Sequence, residues 1–155
     1  VHCLKNISIS DKNEAPPYFK KYSPSEMADD YFDLLYEISQ CRLFDSIGHL
    51  DYYIRYAPDY YGDKVFDIAP KRYDKVFESL VKNGIGIEIN TSQFKRGGKD
   101  FHPSRKILRQ AIDAGVKISS VGSDAHKPSD LGKGVAEAYE FLNGYGIRTV
   151  FPRLV

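Results

Sequence analysis

The stretch PKRYDKVFESLVKNGIGIEIN, residues 70–90, contains the repeating unit that decides the fold. Its first part places five apolar residues on one face of a predicted helix over residues 70–83: Tyr73, Val76, Phe77, Leu80 and Val81. Gly84 ends this pattern, as glycine commonly does just beyond a helix. Three isoleucines then alternate with other residues in a predicted strand that ends at Asn90. The unit is therefore one helix followed by one strand.

The same unit recurs along the chain. Helices are predicted from Pro24 to Cys41, from Pro70 to Asn83, from Pro103 to before Gly115 and from about Asp130 to Asn143. Strands are predicted over residues 44–50, 85–89, 118–121 and 147–151. This alternation predicts right-handed crossovers and a parallel sheet, which four units would build as half of a (β/α) barrel or as most of an open doubly wound sheet.

The remaining segments are predicted to be irregular. Residues 1–9 are expected to form a short strand that runs into a loop, and residues 10–24 a polar, proline-rich surface excursion. Ser23 followed by Glu26 is a capping-box pattern for the helix that begins at Pro24. Residues 51–63 are rich in tyrosine and broken by proline and glycine, which favours a long loop.

Composition bounds the class of protein. The chain has 155 residues, 42% of them hydrophobic and 28% charged, which indicates one globular domain and excludes disordered, collagen-like and coiled-coil proteins. No apolar run approaches the ~18 residues that span a bilayer, so no membrane association is expected. The net charge of +1 lacks the basic excess typical of nucleic-acid-binding proteins, so no nucleic-acid partner is expected. Two cysteines without paired spacing favour a reducing, cytoplasmic compartment.

Polar side chains follow the predicted strands at the points where the strands end. They are His49, then Glu88 with Asn90, then Asp124 with His126, while His2 takes a similar place if the opening residues follow a strand. Because functional residues of parallel α/β folds gather beyond the carboxyl ends of strands, these side chains are expected to share one pocket. Imidazole and carboxylate groups predict a metal site there. His102, which precedes Pro103, is expected to be a loop residue near the rim.

Three motifs carry a family resemblance. Gly48-His49-Leu50-Asp51, Glu88-Ile89-Asn90-Thr91 and Gly122-Ser123-Asp124-Ala125-His126 resemble, in this order, the later motifs of the PHP (polymerase and histidinol phosphatase) superfamily, and their wording resembles its histidinol-phosphatase branch. Val1-His2 resembles the end of a Gly-Ser-Val-His segment of that branch. The resemblance covers the whole chain.

The resemblance implies a distorted (β/α)7 barrel, of which residues 1–155 would be a single, partial domain from the C-terminal part. It also implies a cluster of up to three divalent ions (zinc, manganese or iron), with Asp124 on one metal, His2 and His49 on a second and His126 on the third. The family's His-x-His motif and bridging glutamate have no counterpart here. A missing N-terminal half, in the same or another chain, is therefore the expected partner, and the chain by itself is expected to be a fragment.

The implied function is a metal-dependent phosphatase that hydrolyses L-histidinol phosphate in histidine biosynthesis. Asp124 and His126 are the candidate catalytic residues, with Asp124 orienting a hydroxide as well as binding metal. Arg55 and Arg96 are candidates for binding the substrate phosphate because a guanidinium group binds phosphate through two hydrogen bonds. Glu88 and Asn90 are candidates for the substrate amine, although Asn90 would equally serve to end its strand. The alternatives are a PHP-type enzyme for another small phosphomonoester or a nucleotide, and a non-catalytic fragment.

Overall fold

Six α-helices and five short strands build the part of the chain that the computed structural model describes, residues 1–68 and 70–148. In chain order they are β1 (Cys3–Leu4), β2 (Ile7–Ser8), α1 (Ala15–Lys21), α2 (Pro24–Gln40), β3 (Ser46–Ile47), α3 (Pro58–Tyr61), α4 (Pro70–Asn83), β4 (Gly86–Asn90), α5 (Arg105–Asp113), β5 (Ile118–Gly122) and α6 (Val135–Gly144). Short 3-10 turns lie at Tyr52–Arg55, Gly62–Phe66, Phe94–Arg96 and Pro128–Asp130. None of the described helices is long and apolar enough to cross a membrane.

The centre of the fold is a parallel sheet with the strand order β3-β4-β5. Ile47 pairs with Ile87, and Ile89 pairs with Val121, with an irregularity in the β4–β5 register after Ile87. The predicted α/β class with a parallel sheet is confirmed. The strand predicted over residues 147–151 lies outside the described residues from Thr149 onward.

Helices α2 and α4 pack together over one side of the core. The predicted capping box at the start of α2 is present, since the Ser23 hydroxyl accepts from the Glu26 backbone and the Glu26 carboxylate accepts from the Ser23 backbone. The rings of Phe32 and Tyr73 meet edge to face, with 4.7 Å between their centroids. Val81 was predicted to point inward but is exposed. The buried face of α4 is narrower than the apolar face that the sequence predicts, and Val81 lies outside it.

Two segments predicted to be irregular are more ordered than expected. Residues 1–9 form an antiparallel hairpin, β1–β2, because Lys5 and Asn6 adopt the left-handed backbone of a tight turn. The predicted surface excursion over residues 10–24 contains α1, whose Tyr18 and Phe19 are buried. Its two prolines lie in the first helical turn, where the missing N–H groups cost nothing, so they begin this helix instead of breaking it.

The tyrosine-rich segment over residues 51–63 also folds more fully than predicted. It forms a 3-10 turn at Tyr52–Arg55, then α3, then the start of a second 3-10 turn. Tyr52 and Tyr53 are buried. Their rings bury a large apolar area, which stabilises this segment although its sequence lacks a regular hydrophobic pattern. This segment follows β3 and therefore begins at the carboxyl edge of the sheet.

Candidate functional site

The carboxyl edge of the sheet brings the three sequence motifs together. Because β3, β4 and β5 run parallel, the loops that begin at Gly48, Thr91 and Ser123 all leave the same edge. Thr91 adds two hydrogen bonds at this edge, since its backbone N–H donates to the Gly122 carbonyl and its hydroxyl donates to the Lys133 carbonyl. The motifs are thus neighbours in space although they are distant in sequence.

His2 and His49 form a close pair of potential ligands. Their rings are perpendicular, with 4.9 Å between centroids. The Nδ1 atom of His49 is buried and has no hydrogen-bond partner among the described residues. Burial, followed by the nearby His2, lowers the pKa of His49 to about 4. Although His2 is largely exposed, its partial burial is the largest cause that lowers its own pKa. Both rings are therefore held in the neutral form that binds metals.

Asp124 lies within electrostatic range of this pair. Its negative charge acts to raise the pKa of both His2 and His49, against the effect of burial. Lys95 holds the loop in place, because its Nζ donates to the Asp124 carbonyl at 2.8 Å and lies 3.8 Å from the carboxylate. Asp124 and His49 both adopt a left-handed backbone, with φ of 50° and 33°, an uncommon conformation that clusters at functional sites.

His126 is placed differently from the other predicted ligands. Its side chain is 77% exposed, and its Nδ1 is hydrogen-bonded to the Asp124 carbonyl at 2.8 Å. The same nitrogen is 3.8 Å from an Asp124 carboxylate oxygen. The structure therefore places His126 beside Asp124 but turns its ring toward its own loop and solvent.

The fit of these residues to a metal ion is partial. Across residues 1–68 and 70–148, no three His, Cys, Asp or Glu side chains converge closely enough to hold an ion together. The buried, unpartnered Nδ1 of half-buried His49 and the adjacent imidazole of His2 fit two ligand positions. Tetrahedral zinc sites use three or four protein ligands, so the pair accounts for part of such a site.

Glu88 is enclosed by two glycines at the same edge. A Cβ at Gly122 would lie 2.6 Å from one carboxylate oxygen of Glu88, and a Cβ at Gly48 would lie 3.0 Å from the other. Burial raises the pKa of Glu88, while the amide of Asn90 and the nearby backbone of His49 act to lower it. Asn90 is buried, and its side-chain carbonyl accepts from the Ser92 backbone. The polar groups of Asn90 are therefore used in hydrogen bonds within the protein. Of the two residues, Glu88 is the more available to contact a ligand.

A cavity of about 300 Å³ lies beside this edge and contains both predicted phosphate ligands. Arg55, from the turn after β3, and Arg96, from the turn after β4, line it together with His102. The Arg55 guanidinium donates to the Tyr52 hydroxyl and lies 5.1 Å from the centre of the Tyr56 ring. Two guanidinium groups on one cavity are suited to an anion.

His102 is the residue that the sequence interpretation placed wrongly. It is 1% exposed, and its backbone exchanges two hydrogen bonds of 2.8 Å with Asn90. Its Nδ1 lies 2.8 Å from a carboxylate oxygen of Asp51, which is fully buried. A buried carboxylate needs partners, but the burial of Asp51 is visible only in the folded chain, so the sequence held no signal for this pair.

Tyr52 connects the histidine pair with the cavity. The centre of its buried ring is 4.5 Å from that of His49, 5.0 Å from that of His2 and 5.7 Å from that of His102. Its hydroxyl accepts from Arg55. Tyr52 therefore links the His2–His49 pair to the cavity lined by Arg55 and Arg96.

Comparison with known proteins identifies the family. The sequence profile of the PHP domain matches residues 2–92. The chain is 31% identical over 129 residues to the probable histidinol-phosphatase of Thermotoga maritima, covering 83% of this chain and 52% of that protein. It is 25% identical over 154 residues to the probable histidinol-phosphatase of Clostridium acetobutylicum, covering 97% of this chain and 58% of that protein.

A solved structure shows the same fold. The crystal structure of a proposed histidinol phosphatase, hisK from Listeria monocytogenes, superposes with a TM-score of 0.67 at 21% identity, covering 84% of this chain and 52% of that one. The chain thus spans about half the length of the relatives that it matches. The motifs, the sheet and these comparisons agree, and the chain belongs to the PHP domain family.

Proposed function

We propose that this chain is part of a cytoplasmic, metal-dependent phosphatase that converts L-histidinol phosphate and water to L-histidinol and phosphate in histidine biosynthesis. The observation that carries the proposal is the cavity shared by Arg55 and Arg96, joined through Tyr52 to the His2–His49 pair. Relatives named histidinol-phosphatase support the choice of substrate.

The geometry suits a phosphomonoester for electrostatic reasons. The substrate carries up to two negative charges on its phosphate, and two arginines offer paired N–H donors to it. A divalent metal, when bound, would supply an activated water and stabilise the charge that develops on the phosphoryl oxygens. His2, His49, Asp124 and His126 are the proposed ligands, with zinc, manganese or iron as the ions, up to three in the complete protein. Asp124 would also orient the attacking water, and the His126 ring would have to rotate away from the Asp124 carbonyl.

The substrate amine is assigned to Glu88. Its half-buried carboxylate lies at the carboxyl edge of the sheet between Gly48 and Gly122, where a cationic amino group would be attracted. Asn90, which donates to Glu88 at 3.4 Å, would orient that carboxylate. Both residues thus act on the amine, one directly and one through its neighbour.

The complete fold proposed is a distorted (β/α)7 barrel, with residues 1–155 as a single domain unit of its C-terminal part. The remaining metal ligands would then come from an N-terminal half in the same or another chain. Two facts support this: the chain spans about half of its relatives, and the His2–His49 pair needs further ligands.

The test is hydrolysis by the complete protein. We expect turnover of L-histidinol phosphate far above that of p-nitrophenyl phosphate or a nucleoside monophosphate, with metals counted by X-ray fluorescence and activity lost on chelation. Preference for another monoester or a nucleotide would reassign the substrate and keep the fold. Stoichiometric metal without any phosphatase activity would refute the proposal.

A further inference from the structure

A second cavity, of about 340 Å³, adjoins the cavity that contains Arg55 and Arg96. The two cavities have three lining residues in common, which are Ile54, Phe66 and Gln93. The cavities therefore meet along these side chains, next to the proposed phosphate site. The proposed function leaves the second cavity without a role.

Apolar side chains form the open walls of the second cavity. Ile54 and Ile107 are half-buried, and Phe66 is 49% exposed. Ile107 and Gln110 lie three residues apart on α5, so they present the same face of this helix to the cavity. Accessible apolar side chains that line one concave surface are typical of a site for a small molecule.

The charged residues that line the second cavity do not favour an ion inside it. Both oxygens of Asp51 have hydrogen-bond partners, one of which is the Ser104 backbone N–H. One oxygen of Asp100 accepts from the backbone N–H and from the guanidinium of Arg105. Lys106 is exposed, so its ammonium group can remain in water. A neutral group therefore fits this cavity better than an ion.

We propose that the two cavities together bind one phosphomonoester, with its phosphate at Arg55 and Arg96 and a neutral ring in the second cavity. Ile54, Phe66 and Ile107 are then the residues that select the ring. This rests on the proposed function, which supplies the phosphate site. A cavity of about 150 Å³ already holds a benzene ring, so a volume of about 340 Å³ is sufficient. The imidazole of L-histidinol phosphate, in its neutral form, is a ring of this kind.

A ring in the second cavity adds affinity that the anion alone does not have. Its burial against apolar side chains removes apolar surface from water, which is favourable in proportion to the area removed. Because the ring is attached to the anion, it does not lose its free motion a second time on binding. A compound with the same anion but without a ring gains nothing from the second cavity. The difference in affinity between two such compounds therefore reports on this cavity.

The experiment compares benzylphosphonate, which carries a ring, with methylphosphonate, which does not. Both are titrated calorimetrically into the complete protein, and the metal content and melting temperature of each variant are measured. Ile107→Trp fills the second cavity, and Gln110→Trp fills it from the next turn of α5. Arg109→Trp is the matched control, because Arg109 is exposed on the same helix and lies outside the lining of the cavity.

We expect the wild-type protein to bind benzylphosphonate about tenfold or more tightly than methylphosphonate. Ile107→Trp should remove most of this difference and leave the affinity for methylphosphonate unchanged. Arg109→Trp should bind both compounds as the wild type does.

Equal affinities of the wild type for the two phosphonates, or a wild-type ratio of affinities in both Ile107→Trp and Gln110→Trp, would overturn the inference. If Ile107→Trp does not fold, the ratio in Gln110→Trp decides. Failure of the proposed function looks different: the ratio would change in these variants as expected, but L-histidinol phosphate would not be hydrolysed.

Discussion

At the scale of single residues, charge on the cavity is the feature most open to test. Arg55 and Arg96 come from turns that follow different strands, yet both line one cavity. In the complete protein, Arg55→Ala or Arg96→Ala should raise KM and lower kcat/KM about tenfold or more, because a charge-assisted hydrogen bond is worth ~1.5–3 kcal/mol. Steady-state kinetics measures this, with unchanged metal content as the control. Wild-type kinetics in both variants would show that neither arginine binds the substrate phosphate.

The enclosure of Glu88 gives a second prediction at this scale. Gly122→Ala places a Cβ against one carboxylate oxygen, and Gly48 closes the opposite side, so we expect a loss of about 1 kcal/mol in the free energy of unfolding. Adding Glu88→Ala removes the clash, so Gly122→Ala should cost less in that background. Gly144→Ala in α6, where a Cβ meets nothing, is the matched control. Equal costs of Gly122→Ala in both backgrounds would contradict the contact.

At the scale of elements, the start of α2 links helix stability to pH. Ser23→Ala removes the cap and should lower the free energy of unfolding by about 1 kcal/mol at pH 7. Hydrogen bonds from the Ser23 backbone and side chain hold the pKa of Glu26 below its ordinary value. A carboxyl with a lowered folded pKa stabilises above its unfolded pKa of 4.5, and this contribution disappears as the pH falls through the folded pKa.

The deficit of Ser23→Ala should therefore narrow at pH 3, because a protonated Glu26 no longer completes the cap. Urea unfolding at pH 7 and pH 3 measures both values. Ser25→Ala, at an exposed neighbouring position of α2, should remain within about 0.5 kcal/mol of wild type at either pH. A deficit that is the same at both pH values would show that the hydrogen bond from the Ser23 hydroxyl to the Glu26 carboxylate adds nothing.

The elements also show what a sequence can predict. Strands β4 and β5, α2 with its cap and α4 all follow local patterns, which is why they were predictable. Of the strand predicted over residues 44–50, only Ser46–Ile47 pairs with β4. Helix α1 was missed because its prolines resemble a loop until their place in the first turn is known. His102 was misplaced because its partner, Asp51, is distant in sequence, and only the folded chain shows that the two are buried together. The proximity of Arg55 and Arg96 depends on the same kind of long-range packing.

At the scale of the whole molecule, metal binding should depend on more than these 155 residues. His2 and His49 supply two neighbouring imidazoles, and no third His, Cys, Asp or Glu joins them among the described residues. We therefore expect the isolated chain to bind zinc or manganese weakly and to show no measurable turnover. Gel filtration followed by X-ray fluorescence measures the retained metal.

A longer polypeptide, or a second chain, that supplies a His-x-His motif and a glutamate should restore both metal binding and hydrolysis. An unrelated chain of similar length is the control. Tight metal binding with phosphatase activity by the isolated chain would show that its own residues complete the site.

The enclosure of Glu88 between Gly48 and Gly122 also has an evolutionary consequence. The three positions share one small volume, although position 88 lies within β4, position 122 ends β5 and position 48 follows β3. A substitution that enlarges either glycine forces the carboxylate of Glu88 to shift, and a shorter residue at position 88 relieves that contact. In an alignment of PHP proteins, positions 48, 88 and 122 should therefore change as a set, with shorter side chains at 88 accompanying larger ones at 48 or 122.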